Sequence, residues 1–352
     1  MLYGTENPHG GDIYGGGITL DFSANTNPYG TPEGVLRAVQ AALPEMHRYP
    51  DPYCRRLVEA IGAFEGVDPG IILCGSGAAE LIYAYCAALR PKTALELAPT
   101  FSEYSLGLRR VGCTVDRYSL TPESGFDLDA GFLCYLEETA PETVFLCNPN
   151  NPTGVLIAPA LLKKILDLCQ KKRIHLFLDE CFLDLSDDGI SMKAYLGDYP
   201  NLFVLKAFTK SYGMAGIRLG YGLSADRELL KGMAREVQPW NVSSLAQAAG
   251  TAALKEAGFL QKTRALIQTE RPWLKEKMEG FGFRVCPSKA NYLLFHGPAG
   301  LHKRLKEKGI AIRDCGNYPG LGDGWYRVAV RQHEENGKLI AAIGEIITEG
   351  VS

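Results

Sequence analysis

Lys210 is the residue of this sequence whose neighbours best suit covalent chemistry. It lies in the segment KAFTKSYGMAGIRLGYG (206–222), where small residues and glycines surround it. A lysine in such a bend can lose solvation and become nucleophilic enough to form a Schiff base with an aldehyde. Arg218, eight positions further on, can hold a phosphate through two parallel hydrogen bonds. Because an isolated lysine is more often a solvated side chain, this interpretation depends on the other segments.

A glycine-rich turn precedes a predicted helix at residues 74–80, which read CGSGAAE. Glycines let a backbone approach a phosphate, and a helix N-terminus offers free N–H groups and the positive end of the helix dipole. The turn lacks the spacing and the lysine of the nucleotide-binding glycine loops, so a nucleotide is not indicated. Taken alone, a tight turn without a ligand is an equal alternative.

Two further segments follow apolar runs that are typical of strands. Residues 147–154 read CNPNNPTG; an asparagine amide there can donate to a phenolate oxygen, although a plain Asn-Pro turn is an equal alternative. Asp179 and Glu180 end the run IHLFL, where a carboxylate needs a partner, either a protonated pyridine nitrogen or a structural cation or helix cap. All four segments occur in one order at strand ends, which favours one shared site.

The elements that must position these residues are short strands alternating with helices. Strands are predicted at 71–74, 93–97, 114–118, 143–147, 174–179 and 201–207, with helices near 77–90, 102–111, 129–139 and 158–172. This alternation predicts an α/β domain with a mostly parallel sheet covered on both faces.

The pattern changes after residue 240. Helical patterns over 243–280 precede predicted strands at 283–286, 291–295, 311–314 and 326–330 and a last helix near 334–349. We therefore predict an N-terminal arm (1–30) that packs with the small domain and the active site, a large domain (31–240) and a smaller α+β domain (241–352).

Composition excludes several classes of protein. The 352 residues carry a formal net charge of -3, with no basic run that would indicate nucleic acid and no apolar stretch of membrane-spanning length. The start lacks the features of a secretory signal, which predicts a cytoplasmic location. The ten cysteines form no C-x-x-C pair or zinc pattern, so we expect buried reduced thiols and no metal site.

The ordered set of glycine turn, NPTG, Asp-Glu and Thr-Lys with a later arginine resembles the fold-type I pyridoxal-phosphate enzymes of the class I and II aminotransferase group. The resemblance covers nearly the whole chain. It implies a large domain with a seven-stranded, mostly parallel sheet covered by helices and a smaller C-terminal domain. It also implies that Lys210 binds pyridoxal 5′-phosphate as a Schiff base, that Asp179 pairs with the pyridine nitrogen and that Asn151 donates to the ring O3′.

The same resemblance implies the remaining cofactor contacts. Phe101 would stack on the ring face, and Tyr49 would reach the cofactor phosphate of the partner subunit in a homodimer. Relatives often carry a hydroxyl residue where this chain has Ala207, so Thr209 or Ser76 would have to substitute for it. The phosphate contacts implied within the chain are Arg218, Thr209, Ser76, Gly77, Ala78 and Ala79.

Two branches of this group resemble the chain closely. The segments HGGDIY (9–14), DFSAN (21–25) and YRVAVR (326–331) resemble the threonine-phosphate decarboxylases of cobalamin side-chain synthesis. Phe182 stands where histidinol-phosphate aminotransferases usually have tyrosine. The resemblance implies decarboxylation of L-threonine O-3-phosphate to (R)-1-amino-2-propanol O-2-phosphate, with L-serine O-phosphate as a possible variant substrate. Transamination of histidinol phosphate with 2-oxoglutarate is the alternative.

A phosphorylated amino acid carries two anionic groups that need separate partners. By resemblance Arg327 is the carboxylate arginine, and our hypothesis assigns the substrate phosphate to Arg313 and Arg331 with His9 and Asn25. Arg331 in a surface ion pair is the alternative. Gly10 and Asn151 complete the predicted substrate site. A non-catalytic effector domain is a third interpretation, disfavoured because such regulators carry an added DNA-binding segment for which the sequence has no room.

Overall fold

The computed structural model describes residues 9–349 of the chain. The N-terminal arm contains a two-residue strand, β1 (Leu20–Asp21). Helices α1 (Glu33–Ala42) and α2 (Arg55–Glu65) follow it. Neither helix is among those predicted, although each buries an apolar stripe that includes Val35 in α1 and Leu57 in α2. The arm therefore leads into a helical layer before the central sheet begins.

The central sheet has the seven strands expected for the large domain. Their order is β2-β8-β7-β6-β5-β3-β4, in which only β8 runs antiparallel to its neighbours. The strand β8 was not predicted, because its sequence GYGL offers little apolar signal. The strands are β2 (Ile72–Gly75), β3 (Thr93–Ala98), β4 (Thr114–Ser119), β5 (Thr143–Cys147), β6 (His175–Asp179), β7 (Leu202–Ala207) and β8 (Gly220–Leu223).

Helices cover both faces of this sheet. Alternate residues of each central strand enter different cores: Val144 and Leu146 of β5 join one cluster, whereas Phe145 joins the other. A strand buried on both faces must be apolar at every position, which explains the continuous apolar runs in the sequence. The helices are α3 (Ala78–Leu89), α4 (Glu103–Arg110), α5 (Gly131–Thr139), α6 (Pro159–Lys172), the short α7 (Phe208–Ser211) and α8 (Arg227–Glu236). The predicted α/β fold class is thus confirmed.

Helices α9 (Ser244–Ala253) and α10 (Phe259–Gly280) divide the helical region predicted after residue 240. The break contains Gly258, whose φ of 77° suits glycine. Helix α9 packs on α1 and α2, whereas α10 contacts the C-terminal helix α12 (His333–Glu349). The predicted domain boundary after residue 240 stays a prediction; by packing, α10 is the first helix of the second lobe.

The second lobe contains a four-stranded antiparallel sheet in the order β12-β13-β10-β9. Its apolar face packs with α10, α12 and the short helix α11 (Leu301–Glu307) around a core that includes Leu274, Leu293 and Ile343. A separate strand, β11 (Ile310–Ala311), pairs in parallel with β1, so the arm is tied to this lobe. The sheet strands are β9 (Arg284–Val285), β10 (Tyr292–His296), β12 (Arg313–Asp314) and β13 (Trp325–Ala329).

Three further features bear on function. All ten cysteines are free thiols, and Cys134 is the exposed one. Within residues 9–349 no group of three or more His, Cys, Asp or Glu side chains has the arrangement of a metal site. No helix in that range combines the length and apolar character needed to cross a bilayer.

Candidate active site

A cavity of about 430 Å³ opens where the central sheet, the arm and the second lobe meet. Strands β5, β6 and β7 end at its floor, as expected for a ligand site in an open α/β sheet. Most of the residues that the sequence singled out line it together. These are His9, Gly10, Asn25, Ala78, Ala79, Phe101, Asn151, Asp179, Thr209, Lys210, Arg218, Arg313 and Arg327.

Lys210 lies on the short helix α7, directly after strand β7. Its Nζ is 5.7 Å from the centre of the Phe182 ring. Burial, together with the positive charge of Arg327, lowers the pKa of Lys210 to about 8. A lysine with such a pKa is partly neutral near pH 7, which suits a nucleophilic amine.

Asp179 is the last residue of β6 and is buried. Tyr104 donates its hydroxyl to Asp179 Oδ2 at 2.6 Å, and the backbone N–H of Cys181 donates to Oδ1 at 2.9 Å. Burial raises the pKa of Asp179, although these hydrogen bonds oppose the rise. A buried carboxylate held only by neutral donors suits a cationic ligand group such as a protonated pyridine nitrogen.

The glycine turn and Arg218, for which the sequence predicted phosphate binding, lie side by side. Ala78 and Ala79 open helix α3, so their N–H groups have no helical partner. Gly77 has a φ of 84°, and a Cβ there would lie 2.6 Å from the Arg218 guanidinium, so only glycine lets that group approach. Arg218 and Thr209 line the cavity beside the turn, as predicted for a phosphate site.

Ser76 lies just outside the cavity lining. Its backbone N–H donates to Glu80 Oε2 at 2.6 Å, and Glu80 also accepts from Asn241. Thr209, in contrast, lines the cavity beside Ala207. Of the two residues predicted to replace the missing hydroxyl at Ala207, the structure therefore favours Thr209 by position.

Arg327 and Asn151 both line the cavity and are in contact with each other. Arg327 donates to Asn151 Oδ1 and, at 2.9 Å, to the Ser23 carbonyl oxygen. Its Nε has no partner among the described residues, and neither side-chain polar atom of the fully buried Asn25 has one. Buried polar groups are normally paired, so these atoms mark where a polar ligand is expected.

The arm contributes His9 and Gly10 to the cavity lining. His9 Nε2 lies 2.7 Å from Glu103 Oε1, and Glu103 also accepts the Tyr83 hydroxyl at 2.6 Å. A Cβ on Gly10 would collide with the Ser23 carbonyl, so this close approach of the arm requires glycine. The arm thus brings a histidine into the cavity lining beside Glu103 and Phe101.

Arg313 reaches the cavity lining from the second lobe. Its guanidinium donates to Asn317 Oδ1 at 2.7 Å and lies 5.3 Å from the Tyr318 ring centre. Arg313 and Arg327 come from paired positions of β12 and β13, so adjacent strands supply the two cavity arginines of the second lobe. Two separate cationic groups suit a ligand with two anionic ends.

Two predicted residues lie away from this cavity. Arg331 pairs with Glu335 through two 2.9 Å contacts, so the structure agrees with the surface ion pair that the sequence left as an alternative. Tyr49 is 79% exposed and stacks on Trp240 at 4.5 Å. Its proposed contact with a partner subunit remains a prediction.

Sequence reasoning missed the roles of several neighbours. No role was predicted for Glu103 or Tyr104, yet one contacts His9 and the other Asp179. Tyr318, which stands against Arg313, was also missed. The sequence pattern offered little indication of the roles of Glu103 and Tyr104, because glutamate and tyrosine near a helix start are common in any soluble protein.

Comparison with known proteins agrees with this geometry. Residues 18–343 match the model of the family described as aminotransferase class I and II. The chain is 37% identical over 342 residues to threonine-phosphate decarboxylase of Salmonella typhimurium, covering 94% of this chain and 91% of that protein.

Two histidinol-phosphate aminotransferases are also similar. The one from Caldanaerobacter subterraneus subsp. tengcongensis is 32% identical over 331 residues, covering 92% of each chain. The crystal structure of the one from Clostridium acetobutylicum superposes with a TM-score of 0.87 at 28% identity, covering 94% of this chain and 99% of that one.

Proposed function

The chain belongs to the aminotransferase class I and II family, whose members use pyridoxal phosphate, and from that premise we propose that it decarboxylates L-threonine O-3-phosphate. The product would be (R)-1-amino-2-propanol O-2-phosphate, a building block of cobalamin, and L-serine O-phosphate is a possible second substrate. One observation carries the choice of reaction: the 37% identity with a threonine-phosphate decarboxylase over nearly the full length of both chains.

The residues of the cavity fit pyridoxal phosphate. A buried lysine with a lowered pKa and a buried carboxylate with neutral donors face the same space, with a helix N-terminus and an arginine beside them. We assign Lys210 to the aldehyde carbon, Asp179 to the pyridine nitrogen and Asn151 to O3′. Phe101 would cover the ring, and Arg218, Thr209, Ala78 and Ala79 would hold the phosphate, with Gly77 and Ser76 shaping the turn.

When bound, the cofactor withdraws electrons from the substrate α-carbon. The bond that weakens is the one perpendicular to the ring, so the residues that orient the substrate select the reaction. Arg327 lines the cavity and, as the carboxylate arginine, would orient the substrate carboxylate. Because decarboxylation removes this charge, Arg327 must position the carboxylate without a tight clamp. The Lys210 amine would be the natural proton carrier at the α-carbon.

We assign the substrate phosphate to Arg313, His9 and Asn25. All three line the cavity, as does Gly10. Arg331 joins this set only through a rearrangement that opens its ion pair with Glu335. A small phosphorylated amino acid would thus contact one arginine at each anionic end.

Histidinol-phosphate aminotransferase activity is the second candidate. The 28% identity and the TM-score of 0.87 with such an enzyme favour it, since both reactions use a phosphorylated amino compound. Phe182 packs edge-on against Tyr292 at 5.0 Å and carries no hydroxyl. A phenylalanine therefore cannot donate to O3′ at this position, which removes one contact on which ring electronics would depend.

The deciding experiment measures two products from the same purified protein. It is incubated with pyridoxal phosphate and O-phosphothreonine, O-phosphoserine, or histidinol phosphate plus 2-oxoglutarate. We expect CO₂ from phosphothreonine, less from phosphoserine, and no glutamate from histidinol phosphate. A Lys210→Ala variant is the matched control for uncatalysed release. Glutamate formation without CO₂ would overturn the proposal in favour of the aminotransferase.

Quaternary structure follows from the same family resemblance. We propose a homodimer in which Tyr49 reaches the partner's cofactor phosphate; its exposed stack with Trp240 leaves it accessible to another chain. Sedimentation analysis of wild type against Tyr49→Phe, with the cofactor dissociation constant of each, tests it. A monomeric wild-type enzyme would contradict this arrangement. The cytoplasmic location stays a prediction.

A further inference from the structure

Tyr104 stands behind the cofactor site and has no role in the assignments above. It is the second residue of α4 and is fully buried, and its hydroxyl lies 2.6 Å from Asp179 Oδ2. This distance is in the range of an O–H donor bound to an ionised carboxylate. The other oxygen, Oδ1, accepts from the Cys181 backbone at 2.9 Å. Each carboxylate oxygen therefore has a fixed donor, and the Cys181 side chain makes a further hydrogen bond to the carboxylate.

These two donors restrict the rotation of the carboxylate. The χ2 torsion of aspartate is broad, so a strand-end Asp179 without partners would sample many orientations. Tyr104 itself has little freedom, because its ring packs on Phe101 at 5.6 Å, Phe145 at 5.5 Å and Phe177 at 6.1 Å. A rigid hydroxyl on a rigid ring thus selects one rotation of the carboxylate. The lone pairs that Tyr104 and Cys181 leave unused are available on the cavity side.

We propose that Tyr104 is a positioning residue: its hydroxyl holds the Asp179 carboxylate in the orientation that the pyridine nitrogen of the bound cofactor requires. This inference rests on the proposed use of pyridoxal phosphate. The Tyr104 hydroxyl also favours the ionised form of the Asp179 carboxylate, which is the form that pairs with a protonated ring nitrogen. Burial raises the pKa of Asp179, and the Tyr104 hydrogen bond lowers it. Without the hydroxyl, a proton shared with the ring nitrogen moves towards the carboxylate, and the ring withdraws electrons less strongly.

The chain offers a matched pair of variants. Tyr104→Phe keeps the aromatic packing and removes only the hydroxyl. Tyr85→Phe removes another fully buried hydroxyl from the same aromatic cluster, where Tyr85 packs on Phe145 and Phe177. The Tyr85 hydroxyl lies 3.3 Å from Thr143 Oγ1, and Asp179 is not its partner. A loss common to both variants would therefore report packing or folding and not the Asp179 contact.

The first measurements use apo-protein titrated with pyridoxal phosphate, without substrate. Loss of a hydrogen bond to a charged group predicts about tenfold weaker cofactor binding for Tyr104→Phe and an altered visible absorption spectrum of the bound cofactor. Tyr85→Phe should bind like wild type and show its spectrum. With phosphothreonine, Tyr104→Phe should lower kcat with little change in KM, because the hydroxyl contacts no substrate-facing group.

A double-mutant cycle tests whether Tyr104 acts through Asp179. In the Asp179→Asn background, Tyr104→Phe should change cofactor affinity far less than tenfold, since its charged acceptor is gone. An equal loss in both backgrounds, or a Tyr104→Phe protein indistinguishable from Tyr85→Phe, overturns the inference. If wild type bound no pyridoxal phosphate, the proposed function and this inference would fail together. If wild type bound it but released no CO₂, only the proposed reaction would fail.

Discussion

Lys206 and Lys210 lie four residues apart and have opposite environments. Lys206, in β7, is buried with its Nζ 2.7 Å from Glu65 Oε1 and 3.0 Å from Asp184 Oδ1. Burial alone lowers the pKa of Lys206, but the two carboxylates outweigh it and the pKa is raised. Lys210 has no such carboxylate within residues 9–349, and burial lowers its pKa. One lysine is permanently charged, and the other can be neutral.

The difference shows that burial does not by itself make a lysine reactive. Asp179 and Glu180 repeat the contrast: Asp179 faces the cavity, whereas Glu180 accepts from Ser191 and the Met192 backbone on the other side. Lys210 and Asp179, which face the cavity, form no ion pair within residues 9–349, whereas Lys206 and Glu180 behind them are held by neighbours. This distinction separates residues expected to do chemistry from those expected to stabilise the fold.

The largest expected effect is the loss of activity in Lys210→Ala. Removing the amine removes both the attachment of the cofactor and the proton carrier, so kcat/KM should fall by about four orders of magnitude or more. The free energy of unfolding should fall little, because no ion pair is broken. Product formation and urea denaturation of the same preparation check both parts. Substantial remaining activity would place the reactive amine elsewhere.

Lys206→Met should show the opposite profile. Its removal leaves Glu65 and Asp184 without their shared cation, and breaking a buried pair costs about 3–5 kcal/mol of unfolding free energy. Lys193→Met is the matched control, because Lys193 also binds Glu65 but is 30% exposed and should cost about 1 kcal/mol. Urea denaturation measures both. Equal losses of unfolding free energy in Lys206→Met and Lys193→Met would contradict the expectation that the buried lysine costs more to remove.

Stability against pH should reveal the lowered pKa of Lys210 in the apo-protein. Below about pH 8 the lysine is protonated in the folded and unfolded states, so the cost of burying its charge is constant. Between about pH 8 and pH 10.5, the ordinary pKa of lysine, only the unfolded state keeps the proton on Lys210. Wild-type stability relative to Lys210→Met should therefore rise with pH, by about 1–2 kcal/mol up to about pH 9.5. If the stability difference between wild type and Lys210→Met did not change with pH, the pKa of Lys210 would be the ordinary one.

The smallest effect is expected at Arg331. Because Arg331 is paired with Glu335 outside the cavity, Arg331→Ala should change the KM for phosphothreonine by less than about twofold. Arg313→Ala, which removes a cation lining the cavity, should raise that KM about tenfold or more. Steady-state kinetics of the two variants gives the comparison. A larger effect at Arg331 would show that its ion pair opens to bind the substrate phosphate.

Much of the architecture could be predicted from local patterns. Strands buried on both faces are continuously apolar, so β3 and β5 to β7 were found within a few residues. The glycine-rich β8 was not, because its apolar signal is weak and its neighbours in the sheet supply the pairing. Helices α1, α2 and α8 were also missed, since amphipathic surface helices are less distinct than buried strands.

The sequence by itself determined which reactive groups end which strands, and therefore that Lys210, Asp179, Asn151 and the glycine turn converge on one edge of the sheet. Only the tertiary structure decided which charges are compensated. Glu65 is 141 positions from Lys206, and Tyr104 is 75 positions from Asp179. Backbone direction and side-chain alternation follow from neighbouring residues, whereas hydrogen bonds and ion pairs depend on distant segments that meet only when the chain has folded.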